Sequence, residues 1–272
     1  MDNSNMYNFT DFLEQCMDDA SALAMTYFGK VSGTVKSDDN NQVLTDADIA
    51  VGKLLVEKCK ARYPNFNIID EEAGVIDNGS QLTVVIDPID GTSNFANGLP
   101  LFGIFIGILD GAIPVAGAIA LPAFGETYIA EKGKGSFCNG KELQVSTTVN
   151  IKDALIAYGI DGHQENPLIT RHEVDVLGDI ILGIRNLRTS NSAFDIAAVA
   201  DGRYGAILNQ TSKIWDNVAT QIVIEEAGGI CTDFFGEPMD FSDPLSRTDD
   251  NFTICAGAPV IHSALQRIIH AR

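Results

Sequence analysis

Two carboxylates, Asp87 and Asp90, follow directly on an apolar run that includes Leu82, Val84, Val85 and Ile86. That run reads as a buried strand, which places both acids at its C-terminal end, where α/β proteins put ligands. Two anions this close repel unless a cation lies between them, and carboxylate oxygens are the donors that Mg²⁺ selects. Pro88 fixes one φ angle between them, so both side chains and the Ile89 carbonyl can converge on one point. Gly91 and Thr92 then turn the chain, and Ser93 or Asn94 offers a cap for a short helix. Backbone amides of Gly91 and Thr92 at a helix start suit a phosphate. A surface Asx turn is the commoner meaning of Asp-Pro, but it leaves the joint supply of metal ligands and anion donors unexplained.

Other acids lie where they can join this pair. Glu71 and Glu72 follow a short strand over 67–69, level with the end of the neighbouring Asp87 strand. Asp216 follows Trp215 and precedes the helical run Asn217–Ala227, so it stands at a helix N-terminus; a plain capping role is the alternative. Competing chemistries find less support. The Gly135–Lys141 stretch has nucleotide-loop spacing, but Glu142 replaces the required Ser/Thr and Asn139-Gly140 reads as a hairpin turn. The four histidines form no His-x-x-x-His pair, and no Gly-x-Ser-x-Gly elbow is present.

The 272 residues carry a formal net charge of −19. That excess opposes binding to nucleic acid or to an anionic membrane, and bound divalent cations invert its sign locally. The five cysteines are scattered without a Cys-x-x-Cys pair, which fits a reducing cytoplasm. The start of the sequence shows no secretory pattern. The apolar region from Leu99 to Phe124 is broken by Asp110-Gly111, Pro114 and Pro122, and reads as two core strands.

The elements that must position these acids follow from periodicity. Helical spacing over 7–29 ends at Gly29, and Thr45 or Asp46 opens a second helix over 46–62 with Ile49, Leu54, Leu55 and Cys59 inward. Strand-like runs at 101–109, 112–120, 125–131 and 135–138 form an antiparallel meander covered by those helices. Beyond Ser146-Thr147-Thr148 the pattern alternates: strand 154–160, helix 167–182, strand 184–188, helix 193–201, strand 203–208 and helix 217–227. The fold class is therefore α+β and α/β, in two facing sub-domains, 1–146 and 147–272.

Taken together the acidic segments resemble the inositol monophosphatase family. Asp87-Pro-Ile-Asp90-Gly-Thr92-Ser-Asn-Phe95 is similar to its first signature, and Trp215-Asp216-Asn-Val-Ala running into Glu226-Ala-Gly228-Gly229 to its second. Ile69-Asp-Glu71-Glu72-Ala stands at the family's Gly-Glu-Glu segment, with Asp70 in place of the usual glycine. Val43-Leu44-Thr45-Asp46-Ala47-Asp48 resembles Leu-Val-Thr-x-x-Asp, Lys36 precedes it as the family's lysine does, and Gly133–Gly140 matches a further stretch. The resemblance covers nearly the whole chain. It implies a layered αβαβα sugar-phosphatase fold, a Mg²⁺-dependent phosphate monoester hydrolase and a homodimer, for which the apolar meander around 101–120 leaves room. Glu71, Asp87 and the Ile89 carbonyl are implied to hold one Mg²⁺, Asp87, Asp90 and Asp216 a second, with a third, weaker ion near Glu71. By the same resemblance Gly91 and Thr92 are implied to bind the phosphate, and Asp48 with Thr92, beside Glu71, to activate water. Lithium inhibition is a trait of the family.

Substrate choice falls to the second half. Asn191, Ser192 and Ala193 at a helix start, Arg185 and Arg188 before them, and the Asp161-Gly162-His163 loop are candidate contacts, alongside Asp90 and Asp216. Inositol-preferring members carry a glutamate seven residues before the signature aspartate, where this chain has Asn209. Inositol 1-phosphate leads; histidinol phosphate, fructose 1,6-bisphosphate and adenosine 3′,5′-bisphosphate are alternatives, as is a catalytically silent relative that binds phosphate or a protein partner.

Overall fold

A computed structural model describes residues 8–36 and 39–271, with the backbone alone for those of residues 35–43 that fall in this range. Lys36 therefore has a described backbone and its side chain lies outside the described residues. The chain opens with α1 (Phe9–Tyr27), whose Phe9, Phe12, Leu13, Cys16, Met17, Ala20 and Ala24 form one buried stripe at helical spacing. Gly29 beyond its end adopts a left-handed φ of 73°, as the stop at Gly29 requires. The hairpin β1 (Thr34–Lys36) and β2 (Asp39–Leu44) leads to α2 (Asp46–Arg62). Thr45 is the N-cap of α2, with Asp48 completing a capping box. Asp48 thus takes the inward position at the start of α2, followed by Val51, Gly52, Leu55, Val56 and Cys59. Ile49, expected inward, is turned about 100° from that stripe and is 53% exposed.

The first sheet is built from β3 (Asn67–Asp70), β4 (Gly74–Ile76), β5 (Leu82–Asp90), β6 (Gly103–Asp110), β7 (Ile113–Leu121), β8 (Glu126–Glu131), β9 (Gly135–Cys138) and β10 (Lys141–Glu142), with the short α3 (Thr92–Ala96) after β5. Its order is β10-β9-β8-β7-β6-β5-β3-β4. The meander from β5 to β10 is antiparallel, and β3 joins β5 in parallel. At Asn139-Gly140 both φ angles are positive, 48° and 77°, which is the turn that matches strand twist in a tight hairpin.

The second half contributes β11 (Leu155–Gly159), α4 (Pro167–Gly183), β12 (Asn186–Arg188), α5 (Ala193–Ala200), β13 (Ala206–Ser212), α6 (Ile214–Glu226), β14 (Ile230–Thr232), β15 (Phe252–Gly257) and α7 (Pro259–Ile269). The second sheet runs β12-β11-β13-β15-β14. Helices α1 and α2 pack on one face of the first sheet and α5 and α6 on the other; α5 and α6 also meet the second sheet, and α4 and α7 pack together beyond it. The result is the layered αβαβα arrangement. One apolar core joins Phe105, Ile119 and Tyr128 of the first half to Ile156, Val199 and Ile222 of the second. It crosses the segment 143–150, which has no regular structure and contains the expected boundary at Ser146–Thr148. Both faces of the meander are covered, so β6 and most of β7 are buried. The exposed apolar residues of this region lie at its ends and turns, Leu99, Ile113 and Phe124.

Close approach of α6 depends on glycine. A Cβ on Gly107 of β6 would lie 2.5 Å from Val218 Cγ1, and one on Gly117 of β7 2.7 Å from Ile222 Cγ2. Two bare positions on the sheet thus let α6, which carries Asp216, sit against it. No helix among the described residues is long and apolar enough to cross a membrane.

Candidate active site

In a regular strand residues three apart point to opposite faces. Between β5 and β6 the register shifts: Asp87 pairs with Phe105 and Asp90 with Gly103, three residues against two. This is a β-bulge, the device that re-aims a side chain, and it contains Pro88, whose missing N–H leaves the ladder nothing to lose there. Asp87 and Asp90 consequently face the same way. With Asp216, from the first turn of α6, they each offer one oxygen to a group lying within 4.8 Å of one another.

Glu71 reaches the same cleft from the parallel neighbour. Asp70 pairs with Ile86, so Glu71 stands level with Asp87, and its amide donates to the Ile86 carbonyl at 3.2 Å. The cleft, of about 880 Å³, is lined by Glu71, Asp87, Ile89, Asp90, Gly91, Thr92, Asp161, Asn191 and Asp216 among others. Helix α6 begins at Ile214, three residues before the expected start at Asn217. Asp216 lies inside its first turn, where it accepts the Lys213 amide at 2.6 Å with Oδ2. It therefore caps the helix and joins the cluster as well.

The electrostatics of this cluster are those of crowded anions. Burial pushes Asp87 well above the usual carboxylate range, and the charges of Glu71, Asp90 and Asp216 push it further. Burial likewise raises Asp90, with Asp216 adding to it and the Ala193 amide opposing. Asp216 is raised to about 6 by burial, against the Lys213 amide. Asp87 is 2% exposed, and its Oδ1 has no hydrogen-bond partner. A buried carboxylate oxygen without a donor, faced by two further carboxylates and near a backbone carbonyl, is an all-oxygen donor set that fits a hard divalent cation such as Mg²⁺.

Asp48 and Thr92 sit beside the cluster. Asp48 is buried; its Oδ2 accepts the Thr45 amide at 2.7 Å and the Thr45 hydroxyl at 2.5 Å. Its Oδ1 lies 3.1 Å from Thr92 Oγ1, which is also 2.7 Å from the Ile89 carbonyl. Burial raises the Asp48 carboxyl, and its hydrogen bonds only oppose this. The cap of α3 is neither Ser93 nor Asn94, as expected, but Gly91, at φ 80°. A side chain there is doubly excluded, since its Cβ would fall 2.8 Å from Ser192 Cβ. Asn94 instead ties the turn to the second half, donating to Leu101 O at 2.7 Å and Ser190 O at 2.9 Å.

The far wall is a side cavity of about 170 Å³ shared by Asp90, Gly159, Asp161, Asn191, Asp195, Asn209 and Asp216 among others. Asn191 donates to Asp161 at 3.1 Å. Asn209 accepts the Thr211 amide at 2.8 Å and lies in β13, which runs past the expected end at 208. Both asparagine side chains flank Gly159, where a Cβ would lie 2.7 Å from each. Ala193 is fully buried and meets the site through its amide, which donates to Asp90. Arg188 turns its guanidinium to the carbonyl of Leu187 at 2.7 Å, and Arg185 is absent from the residues around either cavity. Sequence reasoning passed over Asp195, which accepts the amides of Ser190 and Asn191 at 2.8 and 3.1 Å. Its signal was Ser192-x-x-Asp195 at the head of a helix, the spacing of a capping box.

Residues 5–270 match the model of the inositol monophosphatase family. The chain belongs to that family. A fructose-1,6-bisphosphatase/inositol-1-monophosphatase of Thermotoga maritima is 31% identical over 260 residues, spanning 96% of this chain and 95% of the relative. A histidinol-phosphatase of Chlorobaculum parvum is 33% identical over 218 residues, 80% and 82% of the two chains. Among solved structures, the extragenic suppressor protein suhB of Bartonella henselae superposes with a TM-score of 0.86 at 26% identity, covering 96% of this chain and 98% of that one. As an inositol monophosphatase family member the chain is a phosphatase, a phosphoric monoester hydrolase. Family enzymes are Mg²⁺-dependent in general, and the acidic cluster described above suits such an ion.

Proposed function

We propose that the chain hydrolyses the phosphate monoester of a small polyol or sugar, with inositol 1-phosphate the first candidate, using two to three Mg²⁺ ions. The observation that carries this reading is the convergence of Asp87, Asp90 and Asp216 within 4.8 Å, beside the 3.1 Å Asp48–Thr92 pair. Glu71, Asp87 and the Ile89 carbonyl would hold one ion, Asp87, Asp90 and Asp216 a second, and Glu71 would help to hold a third, weaker one. When bound, the ions supply Lewis-acid charge at the phosphate and make water a nucleophile near neutral pH. The first amides of a helix have no acceptor within it, and those of Gly91 and Thr92 bind the phosphate oxygens. The Thr92 hydroxyl orients the attacking water, and Asp48 accepts its proton at Oδ1. Asn191 and Asn209, with Asp161, contact substrate hydroxyls, and the backbone amide of Ala193 keeps Asp90 in place.

No lysine or arginine is among the residues lining the side cavity, and Lys213, which lines the main cleft, gives its ammonium to the carbonyls of Asp249 and Asp250; this favours a single phosphate over a bisphosphate that needs cationic partners for its second group. Phosphate release should be measured with and without Mg²⁺ on inositol phosphates, histidinol phosphate, fructose 1,6-bisphosphate and adenosine 3′,5′-bisphosphate. A preference for either bisphosphate overturns the substrate reading. Unchanged release by Asp87→Asn and Asp216→Asn overturns the catalytic assignment of these acids, and no release by the native chain from any of the four leaves a silent binding relative. The same proposal includes a reducing cytoplasm, supported by five unpaired cysteines. It also includes a homodimer, supported by exposed Leu168, Val174, Ile181 and Leu182 on α4. A monomeric mass in solution removes the last.

A further inference from the structure

Asp70 meets three of the four segments that carry the site: the Glu71 turn, α2 and β5, where it pairs with Ile86. It ends β3, is 1% exposed, and with Oδ1 accepts the amides of Glu72 at 3.0 Å and Ala73 at 2.6 Å. These two bonds close the turn that begins at Glu71. On its other side Oδ2 is buried without a hydrogen-bond partner and packs against α2. A Cβ on Gly52 would fall 3.0 Å from Oδ2, 3.3 Å from Oδ1 and 3.1 Å from Pro88 Cγ. Gly52 is one helical turn beyond Asp48 on the same buried face, and Pro88 stands between Asp87 and Ile89. Glycine inside a helix is unfavourable relative to alanine; here its bare Cα leaves the volume that the Asp70 carboxylate fills.

We propose that Asp70 is a positioning residue for the metal site, holding the Glu71 turn against α2 and β5 from the space left by Gly52. It sets the separation between Glu71, Asp48 and the Asp87–Asp90 pair without itself ligating. In the family segment that Ile69–Ala73 resembles the usual residue here is glycine, which has no carboxylate to play this part. The inference rests on the metal-site reading above. Groups that orient ligands in this way typically change metal affinity or activity 10- to 100-fold when removed.

The test compares Asp70→Ala, Asp70→Asn and Gly52→Ala with the native chain, reading Mg²⁺ half-saturation and kcat for p-nitrophenyl phosphate hydrolysis, and thermal unfolding. Asparagine keeps an acceptor at Oδ1 and nearly the same volume; alanine at 52 suits the helix and crowds Asp70 from behind. Asp70→Ala is expected to raise half-saturating Mg²⁺ by about tenfold or more, with kcat at saturation within about threefold of native. Asp70→Asn stays within about threefold on both measures, and Gly52→Ala raises half-saturation several-fold. A folded Asp70→Ala with native Mg²⁺ dependence overturns the proposal, as does an Asp70→Asn impaired as badly as the alanine variant. Should Asp70→Ala fail to fold, Gly52→Ala decides: a folded variant with native Mg²⁺ half-saturation overturns it. Failure of the underlying site reading looks different, because Asp87→Asn is then as active as the native chain.

Discussion

The backbone amide of Ala193 donates to Oδ2 of Asp90 across 103 positions of sequence. It ties the head of α5, in the second half, to an acid of the first. The contact is possible because β6 has no side chain at Gly103, where a Cβ would come 2.4 Å from Ala193 Cβ and 2.7 Å from the Ala120 carbonyl oxygen.

Gly103→Ala therefore moves α5 away from Asp90. Forcing a methyl group into this packed contact is expected to destabilise the fold by about 1–3 kcal/mol and to weaken Mg²⁺-dependent hydrolysis. Urea unfolding and kinetics at several Mg²⁺ concentrations check it. Native behaviour on both counts means that the contact is dispensable.

Asp87→Asn is expected to separate stability from activity. It removes one of the buried anions that repel one another and keeps the volume, so the metal-free protein gains stability, on the order of a few degrees in Tm. Hydrolysis falls by about 10²-fold or more, as when a group stabilising transition-state charge is removed. Calorimetry in EDTA and a phosphate-release assay read the two effects, and a lower Tm contradicts the account of crowded charge.

Metal-free stability should fall as pH rises. Asp216 is raised to about 6, and Asp87 and Asp90 are raised as well, above the ordinary carboxylate value of about 3.9. Below that value both folded and unfolded chains are protonated and nothing is lost. Between it and the raised folded values the native state holds protons that the unfolded chain has released, so stability declines with pH and the penalty is complete above the folded values. Mg²⁺ neutralises the same charges, so the rise in Tm on adding Mg²⁺ is expected to be larger at pH 8 than at pH 5.5. An equal rise at both pH values refutes the linkage.

Thr92→Val and Asp48→Asn should both lower kcat, by about 10²–10⁴-fold if they act in proton transfer. Asp48→Asn keeps an oxygen for the Thr45 amide and hydroxyl and so leaves α2 capped, whereas Asp48→Ala loses that acceptor as well, at a cost of about 1 kcal/mol. Kinetics paired with thermal unfolding distinguishes them. An Asp48→Ala variant that loses stability and retains kcat assigns the residue to capping alone.

Much of the fold was legible because local periodicity reported it. The α1 stripe, the α2 cap at Thr45 and the Asn139-Gly140 hairpin each depend on residues a few positions apart. The strands β14 and β15 and helix α7 were not read: the second sheet buries Cys255 and Ala256 on neighbours far away in sequence, which no local pattern records. Ile49 was misplaced for a related reason, since an apolar residue was assumed to face inward where a capping carboxylate does.

For the site, sequence by itself determined the inventory: Asp87 and Asp90 after a strand, Glu71 level with them, Asp216 at a helix head, and Asp48 beside Thr45. Residue type and short spacing are enough for that, because oxygen donors, a proline and a glycine turn carry their chemistry with them. Only the tertiary structure decided how they meet. The bulge at Pro88 turns Asp87 and Asp90 to one side, bare glycines at 107 and 117 admit the helix that brings Asp216, and Gly52 makes room for Asp70 behind Glu71. Each is a matter of space between segments distant in the chain, and steric exclusion between such segments exists only once they have packed.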